Sequence, residues 1–209
     1  MARPAFGRSG AARVAVSRVA HLDRDRPLVE AARRDPARFD ALYRRYVAQV
    51  YSYAYYELGD HHAAEDATER TFLAALSNLF RFEERARPAD GEGASTFRVW
   101  LFRIARNVVA NERRTARRHP TAELDDATAA VIADPLDVEG RAVRNEEALA
   151  AWRAVGRLPG DRRRAVVLRF VDEMSTAEIA GVLGRSEGAV RVLIHRALRS
   201  IAADLGRRR

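Results

Sequence analysis

The chain has 209 residues, enough for one or two small domains, and 47% of them are apolar, enough to build cores. Its 37 basic residues outnumber 29 acidic ones for a net charge of +8, and none is lysine, so the basic surface consists of guanidiniums that suit phosphate. There is no cysteine, which excludes disulfides, thiolate metal sites and thiol redox chemistry. No apolar run is long enough for a bilayer and residues 1–30 lack a signal-peptide core, so the expectation is a cytoplasmic protein with no membrane insertion.

Residues 1–30 read as a flexible N-terminal tail. Asp35-Pro36 then gives a cap followed by proline at a first helical position. Phe39, Leu42, Tyr43, Tyr46, Val47, Val50 and Ala54 follow at helical spacing, and Gly59 stops that helix. Asp60 caps a second helix carrying Ala64, Ala67, Phe72, Leu76 and Leu79. A loop from Arg81 to Ala94 contains Pro88, Gly91 and Gly93. Ser95 caps a third helix, with Phe97, Leu101, Ile104, Ala105 and Val108 on one face.

That third helix ends in a basic run. From Arg98 to Arg118 there are seven arginines and one acid, Glu112. The composition then reverses: His119 to Glu139 holds six acids and no arginine, with Pro120 and Pro135 as breakers, which reads as a linker. A last helical group begins near Arg141. No strand pattern and no internal repeat is present. The expected fold is all-α: a tail over 1–30, a helical domain over 31–118, an acidic flexible linker over 119–140 and a second helical domain over 141–209.

The second domain contains a helix-turn-helix pattern. Ile179 and Leu183 mark the inner face of a short helix, and Ala180 is small enough for a close helix crossing. Gly184 follows at the helix end, where a left-handed residue is easiest for glycine. Ser186 caps the next helix, whose expected buried stripe is Val190, Leu193, Ile194, Ala197, Leu198, Ile201 and Leu205. Its outer face presents Glu187, Arg191 and His195, bordered by Arg196 and Arg199. A helix of this kind enters the major groove of DNA.

The stretch Leu158–Leu198, "LPGDRRRAVVLRFVDEMSTAEIAGVLGRSEGAVRVLIHRAL", resembles the C-terminal promoter-binding region of bacterial extracytoplasmic-function (ECF) sigma factors, members of the sigma-70 family. Two N-terminal segments agree with it. "AEDATERTFLAAL" (Ala64–Leu76) resembles that family's polymerase-binding helix, and "WLFRIARNVVANERR" (Trp100–Arg114) resembles its promoter-melting helix. The sequence departs from the family pattern at Glu69, usually glutamine, at Arg70, usually an acid, and at Val192-Leu193, where many members carry Ser-Arg.

The resemblance implies a sigma region 2 followed by a sigma region 4, and an alternative sigma factor that binds core RNA polymerase and directs transcription initiation at particular promoters. It places polymerase binding at Glu65, Asp66, Glu69, Arg70 and Phe72. It places the −10 element against Phe97, Trp100, Arg103, Arg106, Asn107, Arg113 and Arg114, and the −35 element against Arg185, Ser186, Glu187, Arg191, His195, Arg196 and Arg199. Opening a promoter costs a few kcal/mol per base extracted from the stack. Phe97, Trp100 and the 81–94 loop offer a rim for such bases, and the arginines offer contacts for the backbone. Trp100 keeps a second reading as a core indole, because it borders the buried stripe. Within the recognition helix, Arg191 suits guanine and Glu187 suits cytosine, whereas Arg185, Arg196 and Arg199 suit phosphates. The acidic linker reads either as an RNA mimic for basic polymerase channels or as a solvated spacer.

An anti-sigma factor is a further partner that the resemblance implies, besides core polymerase and promoter DNA. Two other classes fit the sequence less well. A DNA-binding regulator acting without polymerase would carry a ligand or receiver module in place of the first domain, and no βα alternation exists to build one. A DNA-processing enzyme would need a carboxylate cluster or an activated nucleophile. The acids fall in the linker and on helix faces, and His61-His62 reads as a surface pair at a helix start. No enzymatic activity, cofactor or metal is expected.

Overall fold

The computed structural model describes residues 24–83, 95–118 and 150–207. Most of the expected tail, most of the 81–94 loop and the acidic linker lie outside the described residues. Residues 24–30 are an exception to the expected tail. Helix α1 (Arg26–Arg34) starts there, with Val29 and Ala32 buried. Asp25 just before it is buried among polar partners: it accepts hydrogen bonds from the Tyr46 and Ser95 hydroxyls and pairs with Arg45 at 3.1 Å. A buried carboxylate needs such partners, and these tie the start of α1 to two later helices. Burial, reinforced by the bond to Asp25, pushes the Tyr46 hydroxyl up to about 12.

Local chemistry sets the other boundaries. Asp35 caps a 3-10 turn over Pro36–Phe39, accepting from Ala37 N at 3.1 Å, and α2 (Asp40–Leu58) follows. Gly59 ends α2 at φ 75°, and Asp60 caps α3 (His61–Asn78) through Ala63 N at 2.7 Å. A second 3-10 turn covers Leu79–Arg81. Ser95 accepts from Arg98 N at 2.9 Å and starts α4 (Thr96–Arg118). Helix α5 spans 150–156, and α6 covers Gly160–Phe170. A reciprocal box of Ser175 and Glu178 opens α7 (Thr176–Leu183): Ser175 Oγ accepts from Glu178 N at 3.2 Å and Glu178 Oε2 accepts from Ser175 N at 2.9 Å. Gly184 closes it at φ 66°, and Ser186 caps α8 (Glu187–Gly206).

Helices α2, α3 and α4 pack around Tyr46, Tyr53, Tyr55, Phe97, Leu101 and Phe102, all fully buried. Full burial of side chains this size stabilises by roughly 1.5–3 kcal/mol each. Helices α6, α7 and α8 enclose a smaller core of Leu168, Met174, Ile179, Val182, Val190 and Ala197. The expected stripe of α8 is narrower than its sequence suggests. Val190 and Ala197 are buried, Leu193, Ile194 and Ile201 pack against the core half-buried, and Leu198 is 45% exposed.

The two helical units also pack directly on each other. Helix α4 lies along α7, and α2 touches α6. An added Cβ at Gly181 of α7 would sit 2.7 Å from Val99 Cγ1 of α4, so any side chain here would force Val99 or one of the helices to shift. Tyr56 of α2 stacks on Trp152 of α5, with ring centroids 4.7 Å apart.

Candidate nucleic-acid interface

The α2–α3 face carries an open apolar groove of about 590 Å³, lined by Phe39, Tyr43, Val47, Glu65, Glu69, Leu73 and Leu76 among others. Glu65, Glu69, Leu73 and Leu76 follow one another at four-, four- and three-residue steps, so they share one helix face. Leu73 is 56% exposed and Leu76 and Tyr43 are partly exposed. Phe72, expected on this surface, lines the groove but is itself largely buried, with Tyr43 and Phe39 meeting its ring edge-on at 4.9 and 6.3 Å. It is one helical step off the exposed face and supports it from beneath. Asp66 and Arg70 are exposed beside the groove, and Arg70 reaches Glu112 of α4.

The residues assigned to the −10 element divide in the same way. Phe97 is fully buried between Tyr46, Phe82 and Trp100, so it is a core ring and not part of an exposed rim. Trp100 is half-buried, 5.3 Å from the ring of Phe82, and lines a cleft of about 810 Å³ with Arg81, Phe82, Arg103, Gly184, Arg185, Ser186 and Glu187 among its other walls. Asn107 and Arg114 are exposed, and Arg114 donates to Asn111.

The α4 arginines face the second helical unit. Arg103 Nε donates to the carbonyl of Gly181 at 2.7 Å, and Arg106 donates to the carbonyl of Val182 at 2.9 Å. These carbonyls belong to the last turn of α7, where a helix has acceptors without internal donors and a partial negative charge. Arg98 is buried, donates to the carbonyl of Asp172, and lies 3.7 Å from Glu178. Arg113 meets the buried carboxylate of Glu57 at 2.8 Å, and Arg163 and Arg164 of α6 join it at 3.3 Å each.

Asp172 sits at this junction, 2% exposed, with neither carboxylate oxygen hydrogen-bonded. Burial pushes its carboxyl up to about 8, against the opposing pull of Arg98. Sequence periodicity has no signal for such a residue, because its environment is made by a helix 74 positions away.

On the helix-turn-helix, Arg185 pairs with Asp161 at 2.7 Å, Ser186 serves as the cap of α8, and Glu187 lies 3.5 Å from Arg191. Arg191, His195, Arg196 and Arg199 are exposed along α8. His61 and His62 stand at the start of α3, and His61 Nδ1 is 2.6 Å from the Tyr51 hydroxyl. Among the described residues no group of acids and histidines is placed to hold a metal ion, and no helix is long and apolar enough to cross a membrane.

This arrangement, a three-helix unit with an arginine-rich last helix followed by a helix-turn-helix unit, is that of the sigma-70 regions 2 and 4. Residues 42–119 match the family model for Sigma-70 region 2, and residues 148–201 match that for Sigma-70, region 4. The chain is 37% identical over 179 residues to the ECF RNA polymerase sigma factor BldN of Streptomyces coelicolor, a match taking in 84% of this chain and 63% of BldN, so this chain spans under two thirds of that relative. It is 32% identical over 176 residues to the ECF RNA polymerase sigma factor SigL of Mycobacterium tuberculosis, covering 84% of this chain and 93% of SigL. The solved structure of CnrH in complex with the cytosolic domain of CnrY superposes with a TM-score of 0.59 at 27% identity, over 87% of this chain and 97% of that one. RpoE of Bartonella quintana, solved with the anti-sigma factor NepR, has the same fold with a TM-score of 0.59 at 18% identity, over 80% of this chain and 96% of that one. The chain therefore belongs to the ECF sigma factors of the sigma-70 family, and as an alternative sigma factor it serves promoter-specific transcription initiation.

Proposed function

We propose that three surfaces divide the work of a sigma factor here. The groove on α2 and α3 docks on core RNA polymerase through Glu65, Glu69, Leu73 and Leu76, with Asp66 and Arg70 at its border. Helix α4 engages the −10 element through Trp100, Arg103, Arg106, Asn107, Arg113 and Arg114. Helix α8 reads the −35 element through Arg191 and Glu187, with Arg185, Ser186, His195, Arg196 and Arg199 on or near phosphates. Regions 31–118 and 141–209 act as the two modules, joined by the acidic linker over 119–140, and the protein works in the cytoplasm.

The observation that carries this reading is the position of the open apolar groove. It lies on α2 and α3, is edged by Glu65 and Glu69, and contains none of the arginines assigned to DNA. An apolar patch of this kind rimmed by acids marks a protein interface and repels phosphate. An anti-sigma factor is a further partner, supported by a relative at 27% identity solved together with CnrY. The test is core-dependent run-off transcription from genomic fragments. The wild-type chain should form holoenzyme and yield discrete transcripts, and Leu73→Glu should lose both while keeping its helical circular-dichroism signal. Discrete footprints from the chain alone, unaffected by Leu73→Glu, would support a regulator that works without polymerase.

A further inference from the structure

The N-terminal segment and the α2–α3 groove are chemically complementary. The groove presents the apolar surfaces of Tyr43, Leu73 and Leu76 and the carboxylates of Asp40, Glu65 and Glu69, with no arginine among its walls. Leu73 is 56% exposed, and contiguous apolar surface left open to water marks a docking site. Residues 1–22 carry Arg3, Arg8, Arg13 and Arg18 and no acid. Phe6, Val14, Val16, Val19 and Leu22 are interspersed with them. An apolar groove rimmed by acids and a basic segment bearing apolar side chains match in both charge and hydropathy.

The other long segments outside the described residues lack this match. Residues 84–94 hold three acids against two arginines, and His119 to Glu139 holds six acids and no arginine, so neither brings the rim a net positive charge. Position and length also favour the first segment. The chain leaves the described residues at Arg24, beside the buried anchor Asp25, at the head of α1. Helix α1 has nine residues, about 14 Å of axis, and Pro36 just beyond it lines the groove. Residues 1–22 span at most about 75 Å when extended, several times that distance.

We propose that residues 1–22 seat in the α2–α3 groove of their own chain, with their arginines on Asp40, Glu65 and Glu69 and their apolar side chains against Tyr43, Leu73 and Leu76. On the reading given above, that this groove docks core polymerase, the segment competes for it. A segment tethered to its own site acts at an effective concentration in the mM range. If it binds the groove at about 0.1 mM, it weakens polymerase binding roughly tenfold without touching either DNA-reading helix. The competition fades with salt, because exposed ion pairs are screened over about 8 Å at physiological ionic strength.

The test uses the full-length chain. It has no cysteine, so Ser17→Cys supplies a single thiol for a nitroxide label. The label should broaden the amide signals of Glu69, Leu73 and Leu76 and spare those of α8. With the nitroxide on one set of chains and the isotope on another, the broadening should vanish. Its persistence there means that a second copy supplies the segment, which overturns seating within one chain. Arg3→Glu, Arg8→Glu, Arg13→Glu and Arg18→Glu together should remove the broadening and tighten core-polymerase binding roughly tenfold. Glu65→Arg with Glu69→Arg should also release the segment. Combining these two substitutions with the four reversed arginines should restore the broadening, which a merely structural effect of either set does not do. Absence of broadening at the groove, or broadening that no charge reversal alters, overturns the proposal and leaves the polymerase assignment to be decided by Leu73→Glu. Broadening at the groove with polymerase affinity indifferent to the charge of the segment supports the seat and sinks the assignment of the groove to polymerase.

Discussion

Glu57 and Arg163 stand 106 residues apart in sequence and meet across the two helical units, Arg163 Nε donating to Glu57 Oε1 at 3.3 Å. The same carboxylate receives Arg113 of α4 and Arg164 of α6, so one buried acid is shared by three guanidiniums from both units. Removing its charge leaves three cations crowded around an amide. Breaking a buried pair by deleting one partner costs about 3–5 kcal/mol, and partial exposure of the arginines lowers that toward roughly 2 kcal/mol. Glu57→Gln should therefore loosen the junction before either core unfolds. In a Trp100→Phe background, the stacked Trp152 should become more accessible to acrylamide, and urea unfolding should split into two transitions.

Asp172 makes the junction sensitive to pH. Burial holds its carboxyl up at about 8 in the closed chain, whereas a carboxyl released to water titrates near 3.9. The closed state therefore binds the proton more tightly. Its contribution to closure is fully present below the open value and is lost as pH rises through about 8. The groups facing Asp172 are Arg98 of α4, itself beside Glu178, and Tyr53 and Tyr56 of α2, whose hydroxyls feel its charge. Closure should weaken by at most about 1.4 kcal/mol per pH unit toward pH 8 and level off above it. Trp152 quenching in the Trp100→Phe background should rise over that range. Asp172→Asn should flatten the profile, and an unchanged profile in that variant would place the titrating group elsewhere.

Two backbone positions in the helix-turn-helix unit make a matched pair. Gly184 lies at φ 66° with open space around it, so Gly184→Ala is opposed by the backbone alone. The expected loss is about 1–2 kcal/mol. Glu173, at φ 52°, is the one non-glycine with a positive φ among the described residues. Glu173→Gly should gain up to about 1 kcal/mol by removing that strain. Gly206→Ala, in open space near the end of α8, is the control and should lie near neutral or slightly stabilising. Urea midpoints of the three variants check the order.

The caps were legible because they are local. Asp60, Ser95 and Ser186 each satisfy a backbone N–H three residues on, and Gly59 and Gly184 take the left-handed positions. Face assignment was less legible. The resemblance names Phe72 and Phe97 without saying how deep each ring lies: Phe72 forms part of the groove wall while packing edge-on against Tyr43, and Phe97 is fully buried against other rings. Leu73, one α-turn after Glu69, joins the groove with no signal beyond that spacing. The junction itself was invisible. Its donors and acceptors are an arginine and a backbone carbonyl 76–78 residues apart, and no spacing rule encodes that. A flexible tether implied two unlinked readers. Gly181, one residue beyond the Ala180 singled out for close packing, is where they meet.

The recognition helix yields the sharpest separation of roles. Arg191 is exposed one α-turn after Glu187, near the start of α8, where side chains reach base edges. Arg199 lies two further turns along, exposed and suited to the phosphate backbone. With holoenzyme on its own promoter, Arg191→Ala should cost about 1–3 kcal/mol and relax preference at a single −35 base pair. Arg199→Ala should weaken binding alike on matched and mismatched sites, and should reduce the slope of log K against log salt by about one. The 3.5 Å contact with Glu187 adds a control. If Glu187 holds Arg191 toward the base, Glu187→Ala should reproduce part of the specificity loss without changing the salt slope in the Arg199 direction. Removing an acid should instead steepen nonspecific binding slightly. Affinities of the three variants, measured on both sites at several salt concentrations, test the assignment. Equal losses on both sites for Arg191→Ala would move it from base reading to phosphate contact.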